Sequence, residues 1–302
     1  DDREVYYDRA GRRAATIAEY EALPEEKRSG FERITLTEEF YFHTRYGSPM
    51  AYARAIDLIC LAEGDRRVGD KSSMAGKKLL DYGFGGVGHL RLLASLGVEC
   101  VGTEIDPLLR AYYSDPADSG EIEGAWIGGR QGPGGSIKLL YGKFPGDAEV
   151  RDAVGGGYDY IISKNTLKKG YVTPDQPVDP RHRVDLSVDP EEFVRTIASI
   201  LKPGGKFMIY NISPAQNPEK FIPWADGRCP FPKEMLERHG FRIIEFDRDD
   251  SEVARQLGKA LEWDIGPNAM NLEANLFGMY TLLERIQDVA DTADTQTPTS
   301  GV

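Results

Sequence analysis

From residue 71 onward, apolar residues fall in short runs that alternate with amphipathic stretches, the pattern of strands and helices taken in turn. Runs at 78–82, 98–104, 137–141, 158–163 and 206–212 predict five strands, each followed or preceded by helical periodicity. The helix before the fifth strand is the best marked. Asp189 caps it, Pro190 opens it, Glu192 stands at the capping-box position, and Phe193, Ile197 and Leu201 share one face. Lys202-Pro203-Gly204-Gly205 ends it. A helix over 231–239 closes at Gly240, and 241–246 and 276–283 read as two further strands joined by a long loop, which places an antiparallel pair at the sheet edge.

The first seventy residues carry a different pattern. Helix formers dominate 5–23 up to Pro24, and Ser48-Pro49 supplies a cap and first-turn proline for a helix reaching about Leu61. This predicts helices rather than strands, a lid over the main domain. The glycine-rich stretch 114–136 has little periodicity and reads as a mobile surface insertion. The Thr/Pro/Gly-rich end has no apolar pattern and reads as disordered. Three regions result: a helical lid over 1–70, a main domain over 71–290 and a tail over 291–302.

Composition narrows the partners. The 302 residues are 40% hydrophobic and 28% charged, as in an enzyme-sized globular chain, and the formal net charge of −12 opposes binding to a phosphate backbone. Nucleic acid is therefore not the expected substrate. Cys60, Cys100 and Cys229 are too scattered for a disulfide framework or a zinc site, and no metal centre is expected. No run approaches the roughly 20 apolar residues of a membrane helix. The chain opens Asp1-Asp2-Arg3 with no initiator methionine, so a processed secreted or periplasmic form stays open beside the favoured cytoplasmic one.

Candidate chemistry centres on Asp81-Tyr82-Gly83-Phe84-Gly85-Gly86-Val87-Gly88, where Gly83, Gly85 and Gly88 give G-x-G-x-x-G between a strand and a helix, and acidic Glu104 ends the next strand. Such a turn brings backbone close to a nucleotide-like ligand, and the acid suits ribose hydroxyls. Asp81, two residues before the first glycine, is expected to repel a diphosphate and to favour a ligand with an ammonium and a sulfonium.

Asp81 to Gly88, Val101-Gly102-Thr103-Glu104-Ile105-Asp106-Pro107, Tyr158-Asp159-Tyr160-Ile161-Ile162-Ser163 and Leu201-Lys202-Pro203-Gly204-Gly205 together resemble successive motifs of the class I S-adenosylmethionine-dependent methyltransferases, over about residues 71–285. The resemblance implies a Rossmann-like doubly wound α/β sheet of about seven strands with an antiparallel last strand. It also implies S-adenosylmethionine as cofactor and methyl transfer as the activity. Under it Gly83, Gly85 and Gly86 line the methionine portion, Glu104 holds the ribose and Ile105 packs on adenine. Where the family often carries an acid after the third strand for the adenine amino group, this chain has Gly142-Lys143-Phe144, so backbone and Phe144 are expected to hold the base. After the fourth strand, Lys164-Asn165-Thr166-Leu167 departs from the Asn-Pro-Pro-aromatic motif of many enzymes that methylate nucleobase or glutamine nitrogens.

Methyl transfer from a sulfonium needs positioning and, for some acceptors, proton removal. Asn165 leads the candidates for contact with cofactor or acceptor, with Tyr210 and Asn211 on the next strand. His43 lies in the aromatic segment 40–47, whose Tyr46 and Gly47 are expected to approach the cofactor. Trp224, Asp226 and Arg228 form an aromatic and charged loop suited to a small organic acceptor. His89, His182 and His239 read as structural or solvated, Lys168-Lys169 as a solvated pair and Asp159 as structural. Two other readings stay open: a nicotinamide-dependent oxidoreductase on a related fold, and a non-catalytic binder of the donor or its demethylated product; an aminopropyl transferase would need an acidic pair near the fourth strand, where Lys164 and Asn165 stand instead.

Overall fold

The computed structural model describes residues 3–37, 49–62, 64, 74–214, 216, 221–267 and 269–286. His43, Tyr46, Gly47 and the tail 291–302 lie outside the described residues.

The N-terminal segment departs from the expected helix over 5–23. It forms strands β1 (Arg3–Asp8), β2 (Arg13–Thr16) and β3 (Glu32–Leu36) in the antiparallel order β2-β1-β3, with only Ile17–Ala22 helical. The turn is set by Asp8, whose carboxylate accepts from Gly11 N–H at 2.8 Å and from the Arg13 guanidinium at 2.6 Å. Local helix propensity is overridden by pairing of β1 with a strand some thirty residues away. The small sheet is fastened to the main domain through Arg110 to Glu19 at 2.6 Å and Arg3 to Asp118. The helix Pro49–Ala62 forms as expected from its proline signal.

Among the described residues the main sheet has eight strands. These are β4 (Lys78–Tyr82), β5 (Glu99–Glu104), β6 (Gly120–Ile122), β9 (Gly135–Tyr141), β10 (Tyr158–Lys164), β11 (Leu201–Ser213), β12 (Phe241–Asp249) and β13 (Phe277–Arg285). Between β6 and β9 a two-strand ribbon, β7 (Trp126–Ile127) and β8 (Arg130–Gln131), stands apart, so the 114–136 insertion is partly structured. The order is β12-β13-β11-β10-β4-β5-β9-β6. β9, β5, β4, β10 and β11 are mutually parallel, and β13 runs antiparallel between β11 and β12. The antiparallel pair β12–β13 thus closes one edge of the sheet, as expected, with β13 next to β11, and the segment before β13 carries the helix Ser251–Ala260 where a loop was expected.

Each face of the sheet buries its own core. One holds Ile56 and Ile59 of helix Pro49–Ala62, Leu90 and Leu93 of helix Gly88–Ser95, and Ala254. The other holds Phe193, Val194 and Ile197 of helix Pro190–Ile200 against Tyr158, Ile161 and Phe207. Asp189 accepts from Glu191 and Glu192 N–H at the start of that helix, as its sequence predicts. Among the described residues no helix is long and apolar enough to cross a membrane.

One buried polar knot ties the first core together. The Arg54 guanidinium grips Asp250 in a two-pronged pair at 2.7 and 2.9 Å, and Tyr210 Oη donates to the same carboxylate at 3.0 Å. Asp250→Ala strands the Arg54 charge and is expected to cost about 3–5 kcal/mol, whereas Tyr210→Phe loses one hydrogen bond, about 1 kcal/mol. Urea denaturation of both variants checks this; equal losses would mean that the carboxylate is not the hub.

Candidate functional site

The carboxyl ends of β4, β5 and β9 open onto a cavity of about 190 Å³ lined by Tyr82, Gly83, Thr103, Glu104, Ile105, Gly142, Lys143, Phe144, Thr166, Val184 and Asp185. Its floor is the glycine turn after β4. Gly83 and Phe84 N–H both donate to Thr103 O, at 2.9 and 3.2 Å, which stitches the turn to β5. Gly83 has φ +71°, and a β-carbon there would come within 2.4 Å of Thr166 Oγ1. Gly85 has φ +64° and open space on its side-chain side. These are the backbone freedom and the clearance that a closely seated ligand requires.

Glu104 ends β5 at the cavity wall. Its carboxylate accepts from Ile105 N–H at 2.7 Å, Asp106 N–H at 3.1 Å and Gly85 N–H at 3.2 Å, so it braces the glycine turn while it faces the cavity. Burial raises its pKa above the usual carboxylate value against the lowering effect of those donors. Ile105 remains 54% exposed on the lining, an apolar plate at the edge of a polar wall.

Beneath the turn lies a cluster that corrects the expected role of Asp81. The side chain is fully buried, and one carboxylate oxygen takes both the Lys164 ammonium and His89 Nε2, the latter at 2.5 Å. Burial pushes Asp81 up, but the adjacent Lys164 charge and the His89 hydrogen bond outweigh it and hold the pKa below the ordinary value. His89 goes down to about 4, through burial first and Lys164 second, so the imidazole is neutral. The cluster is an ion pair with no net charge, and the expected pull of Asp81 on a cationic ligand is cancelled by Lys164. The other oxygen, Oδ1, has no hydrogen-bond partner among the described residues.

The remaining candidates divide. Gly83, Glu104, Ile105 and Phe144 line the cavity together. Phe84 does not: its ring is buried in the core against Tyr113 and Tyr141, leaving only its backbone at the turn. Gly86 sits in the turn and donates its N–H to Phe84 O at 2.7 Å. Asn165, at φ +60°, accepts from Ile212 N–H at 2.7 Å and so fastens the end of β10 to β11. Asn211 is buried, its amide donating to Leu167 O and Gly227 O, both at 2.9 Å, and Tyr210 belongs to the Arg54 knot. Trp224 packs on His182, while Asp226 and Arg228 pair at 2.6 Å and line a second cavity of about 370 Å³ with Phe221, Phe277 and Met279. Lys168, read as solvated, is buried instead, donates to Ile212 O at 2.8 Å and is pushed down to about 7 by desolvation.

Sequence reasoning missed Lys143, Thr166, Val184 and Asp185 as lining residues, and Lys164 as the counter-charge of Asp81. A lysine closing an apolar strand was the one available signal for Lys164. Nothing local marks Asp185, which the chain brings in from a proline- and aspartate-rich loop.

In the sheet, five parallel strands are joined by the antiparallel last strand, β13, inserted between β11 and β12. The fold is that of the class I methyltransferases. A nicotinamide-binding Rossmann sheet runs 3-2-1-4-5-6, without such a strand. No family model and no curated protein matches the chain. Among solved structures, a protein provisionally assigned as a sarcosine dimethylglycine methyltransferase from Galdieria sulphuraria is 16% identical, with 78% of this chain and 87% of that one covered and a TM-score of 0.42. A phosphoethanolamine N-methyltransferase 2 from Haemonchus contortus is 14% identical over 82% of this chain and 56% of that one, with a TM-score of 0.43. The magnesium protoporphyrin IX methyltransferase of Synechocystis PCC 6803 is 15% identical over 78% of each, with a TM-score of 0.36. At these identities and scores the fold assignment rests on the strand order itself.

The buried cluster sets a pH dependence. The folded chain keeps His89 neutral to about pH 4, whereas the unfolded chain protonates it near pH 6.5. Stability from this residue is therefore complete above about pH 6.5 and is lost as pH falls towards 4, by up to about 1.4 kcal/mol per pH unit. Denaturation curves of the wild type and His89→Phe between about pH 4.5 and 7 are expected to show the steeper loss only in the wild type; parallel curves would remove His89 from the account. Lys164→Met strands the buried Asp81 charge and is expected to cost about 3–5 kcal/mol, most of it recovered in the Asp81→Asn/Lys164→Met double variant. The same denaturation assay reads that recovery, and simple addition of the two single losses would dissolve the pair.

Proposed function

We propose that this chain is an S-adenosylmethionine-dependent methyltransferase that acts on a small organic acceptor. The observation that carries the reading is the joint placement of Gly83, Glu104 and Ile105 on one cavity at the carboxyl ends of β4, β5 and β9, in a sheet with an inserted antiparallel strand. The residues fit the donor. The turn at Gly83 and Gly85 admits its methionine portion, Glu104 meets two ribose hydroxyls, and Ile105 gives adenine an apolar face.

When bound, the donor supplies a methyl group already activated by its sulfonium. The chain's own task is to align the acceptor with that methyl and to exclude water. The Asp226–Arg228 pair lines the second cavity, where Phe221, Phe277 and Met279 add apolar surface. An acceptor with an apolar body and a polar end suits that lining. The net charge of −12 disfavours a nucleic acid there.

Calorimetric titration with S-adenosylmethionine, S-adenosylhomocysteine and NADH tests the donor. The first two are expected to bind and NADH is not; binding of NADH alone would sink the proposal. Glu104→Gln removes a charged acceptor from the ribose and is expected to weaken donor binding about 10- to 100-fold. Donor binding with no methyl transfer across a panel of small amines, phenols, carboxylates and thiols would leave a donor-binding protein rather than an enzyme.

A further inference from the structure

The segment 165–189 leads from β10 to the helix Pro190–Ile200 and touches both cavities on its way. Thr166 lines the donor cavity, where its side chain stands over Gly83, and Val184 lines the same cavity further along the chain. Between these two points the segment is sewn to the wall of the second cavity. Lys169 N–H donates to Arg228 O at 2.8 Å and Gly170 N–H to Asp226 O at 3.0 Å, and Asp226 and Arg228 line that cavity. Thr173 Oγ1 donates to Pro230 O at 2.8 Å, and Asp175 pairs with the Arg228 guanidinium at 3.1 Å. His182 packs its ring on Trp224, in the turn Pro223–Ala225 that leads into the wall, with 5.2 Å between centroids. The return to the donor cavity is anchored as well. Val184 N–H donates to Tyr171 O at 3.1 Å, and the Arg183 guanidinium donates to Tyr171 O and Val172 O.

The joint has no slack at Gly170. The residue is buried, and a β-carbon there would come within 2.6 Å of Trp224 O and closer still to Pro223 O. Asn211, buried on β11, spans the same joint: its amide donates to Leu167 O on the segment and to Gly227 O on the wall, both at 2.9 Å. Contacts packed this closely transmit a displacement instead of absorbing it. The two ends of one segment therefore belong to the donor cavity and its middle to the second cavity. A ligand that bears on Thr166 and Val184 acts on the 226–228 wall through continuous backbone.

We propose that residues 166–184 form a strap that couples the two cavities, so that filling the donor cavity positions the 226–228 wall of the second cavity before an acceptor enters. The inference rests on the reading of the first cavity as the donor site. Gly170 and Asp175 are positioning residues in it, since they act on the wall and line neither cavity. Such coupling is reciprocal: an acceptor seated against the wall tightens donor binding by the factor by which the donor tightens its own.

Trp224 reports on the wall. The test is titration of the full chain with S-adenosylhomocysteine, with affinity read by calorimetry and tryptophan emission read in parallel, for the wild type, Trp224→Phe, Gly170→Ala and the double variant Thr173→Val/Asp175→Ala. The wild type is expected to bind and to shift its emission, and Trp224→Phe to bind with that shift lost. The added methyl of Gly170→Ala pushes the turn off the strap, and the double variant cuts two side-chain ties to the wall. Both are expected to keep their affinity within about threefold and to lose much of the shift. Should Gly170→Ala fail to fold, the double variant decides alone. Binding by the wild type without an emission change, or a shift that survives Trp224→Phe, would overturn the coupling and leave the donor reading standing. A full shift in the strap variants would overturn the strap as its route, because Trp224 then answers the ligand directly. Absence of binding by the wild type would overturn the donor reading, and this inference with it.

Discussion

Lys164 and Asp81 carry opposite charges into the interior at the carboxyl ends of neighbouring strands, and neither is tolerable there without the other. Ile162 of β10 is paired with Asp81 of β4, so the two strands must hold register for the ammonium to reach the carboxylate. The loops that leave these strands inherit the alignment. One is the glycine turn of residues 83–88, and the other places Thr166 over Gly83. His89, in the first turn of the helix that follows the glycines, adds a neutral hydrogen bond to the same carboxylate and draws the helix onto the sheet.

Above this pair the cavity is assembled from parts with separate mechanical duties. Glu104 shows the principle: three backbone N–H groups hold its carboxylate, and in accepting them it also fixes the turn it faces. Asn165 and Asn211 do similar work one strand further on, closing the 165–168 loop against β11 and the 226–228 loop. The polar groups that are fully used in this way shape the site. Asp81 Oδ1 has no hydrogen-bond partner among the described residues, and the Lys143–Asp185 pair on the cavity lining stays more than half exposed.

The antiparallel strand is the second constraint. Lying between β11 and β12, β13 closes the core on one side with the Arg54–Asp250–Tyr210 knot nearby. It also brings Phe277 and Met279 to the rim where Asp226 and Arg228 sit. The insertion thus distinguishes this sheet from a dinucleotide-binding one and builds the wall of the second cavity. A reading that relied on the charge of Asp81 to separate the two ligand classes fails on its own terms, since Lys164 cancels that charge.

The sequence alone determined what depends on neighbours along the chain. Short apolar runs located every parallel strand of the main sheet, Asp189-Pro190 started its helix, and the glycines after β4 required a turn that only positive backbone angles allow. Four ordered motifs were enough to name the fold. Tertiary structure decided whatever rests on partners distant in the chain. Residues 3–16 became strands because β3 was there to pair with, and the segment between β12 and β13 became the helix Ser251–Ala260, whose Ala254 joins the first core. Phe84 turned into the core, Lys168 was buried, Asp81 found its counter-charge 83 residues away, and Asp185 reached the cavity from a loop with no signature of its own. Periodicity and capping are local and survive in one dimension; charge compensation and cavity walls are sums over three-dimensional neighbours, and only the folded chain brings those neighbours together.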